Sequence, residues 1–144
     1  MVSSDTIKLL KECDAGTKMA VTSIDDVLER VNDTGMKGLL QESKGHHEKL
    51  GDEIHSLLKQ YGKSEKDPNP MAKGMSWMKT NVKMTMDKSD ATVADLLTDG
   101  CNMGVKSLHK YLNQYKAADD TSKDICNRLV SIEEELCKDL RKYL

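Results

Sequence analysis

Residues 61–70, YGKSEKDPNP, are the stretch in which the chain loses its periodicity. Gly62 is placed to end a helix in the left-handed conformation, and the charged, proline-bearing run after it has no apolar repeat. Asn69 and Pro70 then have the form of a helix start, an N-cap followed by a proline at the first position, where its missing amide costs nothing. The stretch therefore reads as a linker that leads into a short helix, with a pair of long helices on each side.

Before the linker, Leu9, Cys13, Gly16, Ala20, Ile24, Val27 and Val31 recur at three- and four-residue spacing, with Ser4 or Asp5 available as the cap. The stripe breaks at Asn32, Asp33 and Thr34. It resumes through Met36, Leu40, Ser43, His47, Leu50, Ile54, Leu57 and Tyr61. Two helices joined by so short a break form an antiparallel hairpin.

Beyond the linker, Val93, Leu97, Cys101, Gly104, Leu108, Tyr111 and Tyr115 form a third stripe. A break at Ala117 to Asp120 and an approximate capping box of Thr121 and Asp124 precede a fourth, Ile125, Leu129, Ile132, Leu136, Leu140 and Tyr143. The acidic run Glu133 to Glu135 reads as solvated surface. The expectation is one all-α domain over residues 1–144: hairpin 5–61, crossover 62–89 containing a short helix, and hairpin 90–143. Helices of this length span about 40 Å at ~1.5 Å per residue, and two short turns with one long crossover give a ferritin-like four-helix bundle.

The hairpins also match each other. Leu9, Cys13, Gly16 and Lys18 fall on Leu97, Cys101, Gly104 and Lys106 at one constant offset, and Leu50, Ile54, Leu58 and Tyr61 on Ile132, Leu136, Leu140 and Tyr143 at another. A pseudo-twofold bundle follows. Glycine in a helix interior costs ~1 kcal/mol relative to alanine, so the matched Gly16 and Gly104 predict close helix approach.

LLKECDAGTKMA in the first helix, MAKGMSWMKTNVKMT in the crossover and ADLLTDGCNMGVKSLHKYL in the third helix resemble a family of bacterial ferritin-like bundles known as a domain of unknown function. The resemblance runs from Ile7 to Tyr143 and implies the fold, which does not fix chemistry. Di-iron members of the ferritin-like class carry a Glu on each of two helices and Glu-x-x-His on the other two. That motif is missing here: Glu42 is followed at the third place by Gly45, Glu48 by Gly51 and Glu133 by Leu136. Asp52 and His55 have the spacing but lie off the Leu50, Ile54, Leu57 stripe, facing solvent. The inward positions Cys13, Gly16, Ala20, Cys101, Gly104 and Leu108 include no carboxylate.

Composition narrows the function classes. Lys and Arg number 22 against 24 Asp and Glu, for a net charge of -2, and this lacks the basic footprint of a nucleic-acid binder. No apolar run approaches a membrane span and the N-terminus has no signal-like segment, so a cytoplasmic, unprocessed protein is expected. Cys13, Cys101, Cys126 and Cys137 contain no CxxC and suit a reducing compartment. Neither a nucleophile elbow nor a glycine-rich phosphate loop occurs.

What remains is a non-catalytic module without a cofactor, acting by association with itself or a protein partner. Met71, Met75, Trp77, Met78 and Met86 of the crossover are the candidate interaction face, in a chain with nine Met and no Phe. The alternative is a metal-handling bundle, holding iron or a soft metal such as copper at Cys13, His47 and Cys101 or at the methionines.

Overall fold

The computed structural model describes residues 2–64 and 89–144. These form four α-helices and a terminal turn of 3-10 helix, with no strand among them: α1 (Ser4–Leu28), α2 (Thr34–Gln60), α3 (Asp90–Gln114), α4 (Asp120–Leu140) and the turn Arg141–Tyr143. None of these helices is long and apolar enough to cross a membrane. The expected crossover helix, with its methionines and Trp77, lies outside the described residues.

Each helix starts on a side chain that takes up an otherwise unpaired amide. Ser3 accepts from Thr6 N, Asp33 from Met36 N, Ser89 from Thr92 N and Asp119 from Ser122 N. Two expected caps move: α1 is capped by Ser3 rather than Ser4 or Asp5, and α4 by Asp119, which leaves Thr121 inside the first turn. Asp5 is released for another contact, described below. At the end of α2, Gly62 takes a φ of 70° as expected. Its amide donates to Lys59 O and that of Lys63 to Leu58 O at 2.8 Å, a Schellman closure.

Side-chain carboxylates tie the two hairpins at both ends. Asp90, in the first turn of α3, accepts from the amides of Asn32 and Asp33 at 2.8 and 2.9 Å, clasping the α1–α2 connection. Asp5, in the first turn of α1, accepts from Ala117 N at 3.0 Å, and Thr6 Oγ1 accepts from Asp119 N at 2.8 Å, clasping the α3–α4 connection. Each hairpin's leading helix thus caps the other hairpin's turn, which makes α1 and α3 antiparallel. Helix α4 packs on α1, α2 and α3, while α2 and α3 face each other across the longer diagonal.

The core divides in two. Toward the α1–α2 connection, Ile24, Val27, Val31, Met36, Leu40, Val93, Leu97, Cys101, Leu136 and Leu140 pack together. Toward the other end, Leu9, Leu10, Cys13, Leu50, Ile54, Leu58, Leu108, Ile125, Cys126 and Leu129 do so. The apolar stripes account for most of both clusters; in α2 the fully buried residue of the last turns is Leu58, with Leu57 at the boundary.

Candidate functional site

Polar side chains occupy the level where the two clusters part. His47 of α2 is completely buried, and Ser43, Thr17 and Glu133 are buried beside it in the bundle. The His47 ring uses both nitrogens: Nδ1 lies 2.8 Å from Ser43 O, and Nε2 lies 3.2 Å from Glu133 Oε1 on α4. A carbonyl only accepts, so Nδ1 carries the hydrogen. Nε2 then faces the Glu133 carboxylate across the α2–α4 interface.

Cys101 of α3 joins the cluster from the third side. Burial, with the charge and hydrogen bond of Glu133, pushes its thiol far above the usual thiol range, so it stays protonated and donates to the carboxylate. Glu133 is therefore the hub, reached by α2 through His47 and by α3 through Cys101. Gly104, one turn beyond Cys101, leaves room for it: a Cβ there would stand 3.6 Å from the Glu133 carboxyl carbon.

A second buried carboxylate lies between α1 and α2. Asp14 is completely buried and bonds His55 Nε2 at 2.6 Å and Lys18 Nζ at 3.2 Å, both partners being partly exposed. The hairpin match extends to this pair. The offset of 88 that carries Cys13 onto Cys101 carries Asp14 onto Asn102, and the 82 that carries Ile54 onto Leu136 carries His55 onto Cys137. Asn102 and Cys137 do meet, with Cys137 Sγ donating to Asn102 Oδ1 at 3.5 Å.

Of the three residues expected to converge, His47 and Cys101 meet through Glu133, whereas Cys13 lies in the other cluster with Cys126. Among the described residues no group of three or more His, Cys, Asp or Glu is placed to hold a metal ion. Three expectations are corrected. Glu133 is buried, not solvated, because it continues the stripe Ile125, Leu129, Leu136, Leu140 at four- and three-residue steps, a signal legible in the spacing. His55 is half-buried, because the α1–α2 contact brings Asp14 over it. Gly16 and Gly104 are not forced by crowding, since a Cβ at either would meet α4 at ordinary contact distance; the tight approaches are at Gly35 and Gly51, where a Cβ would stand 2.9 Å from Tyr143 Oη and 3.3 Å from Thr17 Oγ1.

On the surface, a groove of about 350 Å³ runs between α2 and α4, lined by His46, Lys49, Leu50, Glu53, Arg128 and Ile132 among others. Arg128 spans it, its guanidinium forked on Glu53 at 3.0 and 2.7 Å with Nε on Asp124.

No protein-family model matches the chain, and no curated protein does. Two solved structures resemble it throughout. A conserved hypothetical protein, rv2844, from Mycobacterium tuberculosis superposes with a TM-score of 0.75 at 12% identity, over 100% of both chains. A DUF305 fragment from Deinococcus radiodurans does so with a TM-score of 0.75 at 11% identity, over 98% of this chain and 95% of that one. The likeness is one of fold. Both neighbours are bacterial, and one carries a domain of unknown function.

Proposed function

We propose that this chain is a non-catalytic helical bundle of ferritin-like topology that acts in the cytoplasm by association with itself or with a protein partner. The observation that carries the reading is the closed state of the bundle centre. His47 has no exposed surface and both ring nitrogens engaged, and Glu133 spends its carboxylate on His47 and Cys101. Donors satisfied by one another leave no open position for a substrate, and a buried polar pair of this kind is well suited to specifying one packing of four otherwise similar helices. The topology is supported by the reciprocal clasps of Asp5 and Asp90, which put the end of α2 and the start of α3 at opposite ends of the bundle. Four free cysteines accord with a reducing compartment.

A metal-handling reading would draw on His47 and Cys101, both of which reach Glu133, although no group of three among the described residues is placed to hold a metal ion. Elemental analysis of protein purified without chelators, with Cu(I) and Fe(II) titration and sedimentation analysis of assembly state, separates the two. Association expects no stoichiometric metal and a self-assembled or partner-bound species. Stoichiometric metal that disappears in His47→Leu and Cys101→Ser variants would overturn it.

A further inference from the structure

The groove between α2 and α4 does not end at His46. A smaller hollow of about 70 Å³ continues it toward the α1–α2 connection, and the two share His46 and Ile132. Together they make one furrow along a pair of antiparallel helices. Its floor is apolar: Leu39 and Ile132 are only half-buried, beside the buried Leu50 and Leu136. Gly38 and Gly45 stand one turn before Glu42 and Lys49 on the same side of α2, both exposed with nothing within 4 Å of a Cβ, so the α2 rim is low.

The charges of the furrow are sorted by height. Glu42, Glu135 and Asp139, all exposed, line the half nearer the α1–α2 connection, and no Lys or Arg lines it with them. Lys49 and Arg128 line the other half with one carboxylate, Glu53, which Arg128 already holds. The spacing is the same on both helices. Glu42 and Lys49 are seven residues apart on α2, as are Arg128 and Glu135 on α4, and His46 and Ile132 lie between them. Each pair therefore separates opposite charges by about 10 Å at ~1.5 Å per residue.

A partner surface of one charge would be attracted at one end of such a furrow and repelled at the other. A second copy of this chain is attracted at both ends, provided the twofold axis crosses the furrow at right angles near His46. That operation lays α2 against α2 and reverses its direction, so Lys49 of each copy meets Glu42 of the other, and Arg128 meets Glu135 in the same way. An axis along the furrow would instead set carboxylates on carboxylates. Building on the association reading above, we propose that the α2–α4 furrow is the self-association face and that two copies dock across it antiparallel. The apolar floor supplies the buried centre and the sorted rim charges fix the alignment.

Sedimentation of the full chain across a range of concentrations tests this, together with Lys49→Glu and Glu42→Lys variants whose helix content is checked by circular dichroism. The unaltered protein should dimerise, and added salt should weaken the dimer. Each variant alone should dimerise about tenfold more weakly or worse, because symmetry places two like-charged contacts in its dimer. An equimolar mixture of the two should dimerise again, since both contacts of the mixed pair join opposite charges. A dimer indifferent to both substitutions, or a mixture no tighter than its components, would overturn the furrow as the face and leave the association reading standing. A chain that stays monomeric at every concentration would overturn self-association, leaving a different protein as the partner. The metal assay above reads His47 and Cys101 instead, so failure of the association reading is seen separately.

Discussion

His47 Nε2 and Glu133 Oε1 lie 3.2 Å apart at the level where the apolar core divides, one on α2 and the other on α4. The contact joins the two hairpins at the interior of the bundle, and its energetics decide what substitution there does. Removing one member strands the other in a site with almost no access to water, which typically costs ~3–5 kcal/mol. Glu133→Ala should therefore destabilise the protein by about that amount in a denaturant titration. Replacing both, as His47→Leu with Glu133→Leu, should recover most of the loss. If the double variant is as unstable as the sum of the singles, the pair is not the unit described here.

The end clasps should differ in strength. Asp90 accepts two backbone amides and Asp5 one, at comparable distances. Hydrogen bonds to a charged group contribute ~1.5–3 kcal/mol when buried and less in water, so Asp90→Ala should cost ~1–2 kcal/mol and Asp5→Ala about half. Amide exchange at Asn32 and Asp33 should accelerate in the first variant, and at Ala117 in the second. Equal effects of the two substitutions would show that hydrogen-bond number does not set the clasp.

Three glycines on or after α2 should respond to alanine with different signs. Gly45 is exposed with nothing within 4 Å of its missing Cβ, so Gly45→Ala should gain up to ~1 kcal/mol of helix propensity. Gly51→Ala brings a Cβ to 3.3 Å from Thr17 Oγ1, which is held by its own bond to Asp14 O, so the gain should be cancelled or reversed by ~1 kcal/mol or more of overpacking. Gly62→Ala should lose ~1–2 kcal/mol because its φ is positive. Thermal melts of the three variants rank these directly.

The Arg128–Glu53 fork should contribute little, and less in acid. Arg128 holds the Glu53 carboxyl below the usual carboxylate range, so the stabilisation is present above that range and is lost as pH falls through the lowered folded value. Both side chains are 45% exposed, which limits the pair to ~0.2–1 kcal/mol at low salt. Comparing Arg128→Ala with the unaltered protein across pH and in ~1 M salt, where the Debye length is ~3 Å, should show the difference shrinking in both directions. A difference that survives acid and salt would point to packing of the arginine stem instead.

Much of the architecture was legible along the chain because helices are local. Apolar recurrence at three and four residues, the polar breaks near Asp33 and Asp119 and the helix-ending Gly62 are properties of neighbours in sequence, and they place all four helices to within a few residues. Even the hub residue was written there: Glu133 stands on the α4 stripe between Leu129 and Leu136, and its charge alone suggests a surface place.

What tertiary structure decided was pairing. That His47 would meet Glu133 rather than Cys13, that Asp14 would draw His55 out of solvent, and that Cys13 and Cys126 would share a cluster depend on which helix lies opposite which and at what height. One sequence period is compatible with several such registers. The choice among them is made where the bundle closes, since the buried His47–Glu133 pair and the two reciprocal carboxylate clasps are satisfied together in this alignment of the hairpins.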